Sequence, residues 1–235
     1  MQLFYNPDIS ENTSQIIFTK EESRHIVKVL RKTKGDLLHI TNGFGWLFTA
    51  EISVADIKNC VAIVTDSQKQ PKREYQVHLA VAPTKMNDRY EWFLEKATEI
   101  GIDIITPIIC DNSERRVIKT ERFEKILQAA MKQSLSCYKP TLQEAIVFKD
   151  FMEQPVLGQK FIAHCEETNK KSLKKEIKPN QDITILIGPE GDFSVKEIEQ
   201  AIQSQFIPVT LGNTRLRTET AAIVACHSVA FVNEL

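Results

Sequence analysis

From Gln76 onward, short apolar runs alternate with longer amphipathic ones. "VHLAVAP", "IDIITPIIC", "KFIAHC", "DITILI" and "IPVT" are runs of the first kind. They are rich in Ile and Val and bounded by Gly, Pro or polar residues, and they predict buried strands. The stretches between them follow a helical period. "NDRYEWFLEKATEIG" repeats apolar positions at Tyr90, Phe93, Leu94, Ala97 and Ile100 and stops at Gly101, a residue suited to a left-handed helix end. "TERFEKILQAAMKQSLSCY" groups Phe123, Ile126, Leu127 and Ala130 on one side. "VKEIEQAIQSQ" follows Ser194, and Glu197 three residues later completes a capping box. The last helix, within "TLGNTRLRTETAAIVACHSVA", is apolar almost all the way round. Strands alternating with helices in this way predict a parallel sheet covered by helices, an α/β fold.

The first part of the chain has another texture. Thr19 and Glu22 have capping-box spacing. The helix they open is expected to carry Ile26, Val27, Val29 and Leu30 inward and Arg24, Lys28 and Arg31 outward, ending at "KGD". "LLHIT" and "WLFTAEISV" flank "NGFG" as a hairpin, and "CVAIVTD" is a third strand. "SQKQPKREY" is polar, contains a proline and reads as a linker. The expected organisation is therefore a small, mostly β unit over residues 1–72 and an α/β unit over residues 73–235. No internal repeat or low-complexity tract interrupts either.

Composition narrows the class. At 42% hydrophobic and 26% charged residues, the 235-residue chain has the balance of a soluble globular protein. Its longest apolar runs fall far short of the ~18 residues of a membrane span. "MQLFYNPDIS" lacks the basic start and apolar core of a secretory signal. Cys60, Cys110, Cys137, Cys165 and Cys226 are odd in number and form no C-x-x-C pair. They are read as reduced thiols of a cytoplasmic protein with no structural metal.

The net charge of −1 does not advertise a nucleic-acid binder, but its distribution does more. "SRHIVKVLRKTKGD" holds Arg24, His25, Lys28, Arg31, Lys32 and Lys34 with no acid before Asp36. Such a patch can hold phosphates in a neutral protein, or it can be a solvated helix face.

In an open parallel sheet, ligands bind beyond the carboxyl ends of the strands. Two strands here run into unusual loops. One is Gly188-Pro189-Glu190-Gly191, which either lets backbone approach a ligand or makes a tight strand-to-helix turn. It is followed by neither the Lys-Ser/Thr of a phosphate loop nor the spacing of a dinucleotide fingerprint. The other is the stretch from Leu211 to Thr218. It places Arg215, Arg217 and Glu219 at the start of an apolar helix, where buried charge requires partners. Glu219 is also explicable as a carboxylate favoured by the helix dipole. His25, His39, His78, His164 and His227 are dispersed; His164 follows a strand directly and either borders a ligand or is a plain loop histidine.

"IGPEG", followed about twenty residues later by "LG" and "LRTETA", resembles the C-terminal signature of the SPOUT superfamily of RNA methyltransferases. The whole chain is similar to the bacterial small-subunit (16S) rRNA uridine-N3 methyltransferase family. "RHIVKVLR" followed by "GD" resembles that family's N-terminal PUA-like β-barrel domain, and "EKATEIG" and "AAMKQS" resemble its catalytic-domain helices. Asp192 stands where a third glycine is common, and "NTRLRTE" and "APTKMNDR" are variant loops.

The resemblance implies a trefoil knot at the C-terminus, whose loops bind S-adenosyl-L-methionine in a bent form, and a homodimer formed through the last helix. Ile187, Gly188, Glu190 and Gly191 are the implied first wall of the cofactor site. Leu211, Gly212, Leu216, Arg217, Thr218 and Thr220 are the second, with glycines where side chains would block the ligand. The implied reaction methylates N3 of a uridine in small-subunit rRNA, free or in the assembling subunit. Arg217 is the expected catalytic cation. Glu219 orients it or accepts the proton, and Arg89 or Arg115 of the other subunit helps. The RNA track is expected to join Arg24, Lys28, Arg31 and Lys32 to Lys85, Arg89, Arg115 and Arg116. A SPOUT enzyme acting on a ribose 2'-hydroxyl or a tRNA base, a non-catalytic RNA-binding relative, and a nucleotide-binding α/β protein are the alternatives.

Overall fold

A computed structural model describes residues 1–156, 158–166 and 169–234. Residues 1–72 and Met131–Lys139 form one compact unit. Residues 73–130 and those from Pro140 onward form another.

The first unit is a five-stranded sheet with one helical segment. It contains β1 (Leu3–Tyr5), β2 (Gln15–Ile17), α1 (Lys20–Arg24), β3 (Leu37–Thr41), β4 (Trp46–Val54) and β5 (Val61–Lys69). The strand order is β1-β3-β4-β5-β2, antiparallel except for the β1–β3 pair. Strict alternation along β3 and β4 buries Leu38, Ile40, Phe48, Ala50 and Ile52 on one face, where they meet Phe4, Ile16, Phe18 and Ile26. Register shifts between Thr49 and Ala50 and between Ile52 and Val54 bend the long hairpin. The expected strands at Leu37–Thr41 and Trp46–Val54 are present, and "NGFG" is their turn. "SQKQPKREY" is a linker only in part. Ser67, Gln68 and Lys69 complete β5 by pairing with Phe48, Leu47 and Trp46, because the length of β4 extends the ladder past the last apolar residue.

The helix in this unit also departs from expectation. Thr19 caps it by accepting the Glu22 amide. After Arg24 it widens into a π-helical stretch, His25–Val29, with Leu30 N–H donating to His25 and Lys32 N–H to Ile26. The wider turn rotates the later positions out of the 3.6-residue phase. Val29 is consequently 63% exposed rather than inward. The helix ends before "KGD", and Arg31 has left it with φ 54°.

The second unit is a parallel sheet between helical layers. Its elements are β6 (Val77–Val81), α2 (Asn87–Ile100), β7 (Ile104–Ile109), α3 (Thr120–Gln133), β8 (Thr141–Leu142), β9 (Ile146–Val147), α4 (Phe148–Met152), β10 (Gln159–Ala163), β11 (Lys171–Ser172), α5 (Leu173–Glu176), β12 (Ile183–Ile187), α6 (Val195–Gln203), β13 (Ile207–Thr210) and α7 (Thr218–Asn233). The last turn of α3 runs into the segment assigned to the first unit. The order is β11-β13-β10-β12-β6-β7-β8, with β9 also on β7. The alternation of β12 feeds two cores. Ile183, Ile185 and Ile187 join Leu79, Phe93, Leu94, Phe123, Ala222 and Ala225 on one side, while Leu186 joins Ile162, Phe148, Ile198 and Phe206 on the other. Small residues of α7, among them Ala222, Ala225 and Cys226, are buried where it packs on α2 and β6. Part of its apolar circumference is therefore covered within the chain.

Parallel register decides where the loops fall. Ala163 of β10 pairs with Ile187 of β12 and with Val209 of β13. Three strands therefore end side by side, and the chain that leaves each must gather at one edge. The strand starts are set by a tight approach at the opposite edge. Gly158 has φ +79°, and a Cβ there would lie 2.1 Å from the Asp182 carbonyl oxygen. Backbone cannot move aside as a flexible side chain can. Gly158→Ala is expected to lower the unfolding free energy by about 2 kcal/mol or more, against about 1 kcal/mol for Gly35→Ala, which has positive φ but no neighbour within 4 Å. Urea denaturation of the two variants measures the difference.

Candidate functional site

The aligned strand ends open into a cleft of about 750 Å³, within the range of ~300–1,000 Å³ common for small-molecule sites. The loop after β10 contributes His164, Cys165 and Lys170, and the loop after β12 contributes Gly188, Pro189, Glu190 and Asp192. The chain from Thr210 to Thr218 forms the facing wall, and Arg89 near the start of α2 reaches in.

Side chains acting on backbone hold the loops together. Thr218 Oγ1 donates to the Gly188 carbonyl at 3.1 Å, a buried bond that joins the two walls. The Lys85 amide donates to Glu190 Oε1 at 2.9 Å, and Asn112 Nδ2 donates to the carbonyls of Gly191 and Asp192. Asp192 has φ 64°, a conformation that costs a side chain energy. Its carboxylate offsets this by accepting from the Phe193 amide at 2.9 Å and the Cys165 amide at 2.7 Å. An aspartate thus fills a glycine's conformational place and also ties the β12 loop to the β10 loop.

The glycines differ from one another. Gly212 lines the cleft, and a Cβ there would meet nothing within 4 Å. At Gly188 a Cβ would stand 3.0 Å from the Phe193 ring, and at Gly191 it would stand 3.1 Å from the Asn112 Cβ. Those two are small because protein packs there, whatever a ligand requires.

The charged residues separate by depth. Arg217 is the exposed residue just before α7, at its N-cap position, and it lines the cleft. Glu219 is 6% exposed and is not part of the lining. Its Oε1 is 3.9 Å from Nε of Arg89, and its Oε2 is buried with no hydrogen-bond partner among the described residues. The N-terminal turn of α7 favours that carboxylate electrostatically. Glu219 therefore stands behind Arg89, which points to the cleft of its own chain. Arg215 makes a long, exposed contact from Nη2 to the Glu190 carbonyl, 3.5 Å.

Of the sequence-derived cofactor residues, the fold brings Ile187, Gly188, Glu190, Leu211, Gly212, Leu216, Arg217 and Thr218 onto the cleft; Gly191 and Thr220 lie outside its lining. Arg115 donates to the carbonyls of Thr84 and Lys85, and Arg116 to that of Asp111. Lys85 Nζ pairs with Glu114 at 2.8 Å. In the other unit, Arg24, Lys28 and Arg31 are exposed and Lys32 is half-buried. His78 contacts Thr106 at 2.7 Å away from the cleft, and burial pushes its imidazole down to about 4. Cys165, Lys170, Asn213 and Thr214 were not foreseen as lining; no spacing in the sequence distinguishes them.

The bond between the walls makes a direct test. Thr218→Val keeps the shape and leaves the Gly188 carbonyl unpaired, and it is expected to cost about 1–3 kcal/mol in urea denaturation. Arg215→Ala, which breaks an exposed contact, is expected to stay within about 0.5 kcal/mol.

Comparison with known proteins agrees with this architecture. Residues 71–230 match the family model described as an RNA methyltransferase domain, and residues 18–65 match an RNA methyltransferase PUA domain. A Rickettsia conorii protein named ribosomal RNA small subunit methyltransferase E is 31% identical over 231 residues, covering 97% of this chain and 94% of the relative. The crystal structure of a probable rRNA-methyltransferase from Porphyromonas gingivalis is 40% identical, with TM-score 0.92 over 100% of this chain and 99% of that one. A ribosomal RNA small subunit methyltransferase E from Neisseria gonorrhoeae, crystallised bound to S-adenosyl methionine, is 25% identical, with TM-score 0.88 over 99% and 98%. The aligned strand ends, the two-walled cleft and these matches agree: the chain belongs to the RNA methyltransferase family, with the SPOUT architecture and PUA-like N-terminal domain that its sequence resembles, and within that family to the small-subunit methyltransferase E group.

Proposed function

We propose that this protein methylates N3 of a uridine in small-subunit ribosomal RNA, with S-adenosyl-L-methionine as donor. The observation that carries the reading is the cleft itself: two loops from the parallel strands β12 and β13, which flank β10, joined by the Thr218–Gly188 bond, in a chain of this family. The residues present suit the cofactor. The open space beside Gly212 admits a ligand against backbone, and His164, buried and without a hydrogen-bond partner among the described residues, lines the same cleft. Ile187, Gly188, Glu190, Leu211, Gly212, Leu216, Arg217 and Thr218 would hold it, with Gly191 and Thr220 supporting those walls from outside. When bound, S-adenosylmethionine supplies an electrophilic methyl group on a sulfonium.

The remaining work falls to the chain. Uracil N3 carries a proton at neutral pH, so its anion must be favoured and aligned. Alignment is worth roughly 7–11 kcal/mol in favourable intramolecular cases. Arg217, exposed at the cleft, is placed to stabilise negative charge on the uracil carbonyl oxygens. Arg89 is a second cation there, and the buried Glu219 orients it. Glu219 thus acts as an arginine partner rather than a proton acceptor in contact with the base. The uridine must leave its stack to expose the pairing edge. Arg24, Lys28, Arg31 and Lys32 serve as phosphate contacts, which position RNA without reading its sequence, and Lys85, Arg115 and Arg116 are further cations for that role. Knotting of the chain around the cleft, a homodimer through the uncovered edge of α7 at His227 and Phe231, and a cytoplasmic location complete the proposal.

Incubating the protein with small subunits from cells lacking the gene, and mapping the methyl group by nuclease digestion and mass spectrometry, tests the reading. The expected product is N3-methyluridine at one position. Arg217→Ala should lower the rate about 10²–10³-fold, the loss typical of removing one preorganised charge-stabilising group. Methylation of a ribose 2'-hydroxyl, or an unchanged rate in the variant, overturns the corresponding assignment.

A further inference from the structure

His164 is a buried polar side chain with no hydrogen-bond partner among the described residues. It is 7% exposed, neither ring nitrogen has a hydrogen-bond partner among the described residues, and the residue is one of those that line the cleft. An imidazole in that state costs stability unless something satisfies it. Its neighbours do not. Lys170 Nζ donates to the His164 and Glu166 carbonyls, and the Asp192 carboxylate is taken by the Cys165 and Phe193 amides. Burial, and next the Lys170 ammonium, push the imidazole below its ordinary range, with the Asp192 and Glu166 carboxylates opposing. Arg89, Glu190, Arg215 and Arg217 are the other charged groups that line the cleft. The ring is therefore uncharged at neutral pH and offers one donor and one acceptor.

We propose that His164 is a cofactor-positioning residue that hydrogen-bonds a ribose hydroxyl of the bound nucleoside. A hydroxyl both donates and accepts, so it satisfies either tautomer. A neutral ring also adds no repulsion toward a sulfonium, as an imidazolium would. This inference rests on the reading of the cleft as the S-adenosylmethionine site.

The test compares S-adenosylhomocysteine with its 2',3'-dideoxy analogue by calorimetry, on wild type and on His164→Leu, together with the melting temperature of each protein without ligand. His164→Leu should weaken S-adenosylhomocysteine about tenfold, the loss of one hydrogen bond, and leave the analogue's affinity unchanged. Its ligand-free melting temperature should not fall, because an unpaired buried polar group has been replaced by an apolar one. His164→Phe keeps a ring in place and gives the same comparison if the leucine variant does not fold. Equal affinity in variant and wild type, or equal losses for both ligands, overturns the proposal, as does a lowered melting temperature with unaltered affinity, which marks a purely structural histidine. Failure of wild type to bind S-adenosylhomocysteine would instead overturn the cofactor reading itself.

Discussion

The hydrogen bond from Thr218 to the Gly188 carbonyl is the point on which the cleft depends. It spans thirty residues of sequence and joins the loop leaving β12 to the first residue of α7. It forms there because β10, β12 and β13 are parallel and end in register at Ala163, Ile187 and Val209. Three chains leave one sheet edge together, and each must satisfy its freed backbone groups locally or through a neighbour. Here they do so through one another and through the loops after β6 and β7. Asp192 serves the Cys165 amide, Asn112 serves two carbonyls, Glu190 serves the Lys85 amide, and Thr218 serves Gly188. The result is a walled space built from loops but fixed by the sheet.

Charge at the head of an apolar helix follows from the same arrangement. Glu219 is buried, yet it sits in the N-terminal turn of α7, where the helix dipole favours a carboxylate, and it faces Arg89 of α2. Its second oxygen has no hydrogen-bond partner among the described residues. The carboxylate stands behind the cation, and the cation lines the cleft. Arg217 adds a second charge from the exposed side.

The sequence made the periodic parts of this structure legible. The strand at Trp46–Val54, the helix at Asn87–Ile100 and the capping box at Ser194 and Glu197 are all present, since burial on one face enforces a period that can be counted. The short elements β1, β2, β8, β9, β11, α4 and α5 were not foreseen; pieces of two to five residues carry too few positions to show a period. Val29 was misplaced because a π-helical stretch shifts phase without any change in composition. For the site, "GPEG" and "LRTETA" located both walls. Eight of the ten residues named for those walls line the cleft, but the contributions from other elements were not legible. Lys170 and Cys165 enter it only because β10 ends beside β12, and Arg89 meets Glu219 only because α2 packs on α7.

The account turns on the two walls behaving as one binding element. Amide hydrogen exchange with and without S-adenosylmethionine measures this directly. The amides of residues 188–193 and of residues 211–218 are expected to slow together on adding the cofactor, with ATP leaving both unchanged. Protection confined to one of the two loops, or absent from both at saturating cofactor, would contradict it.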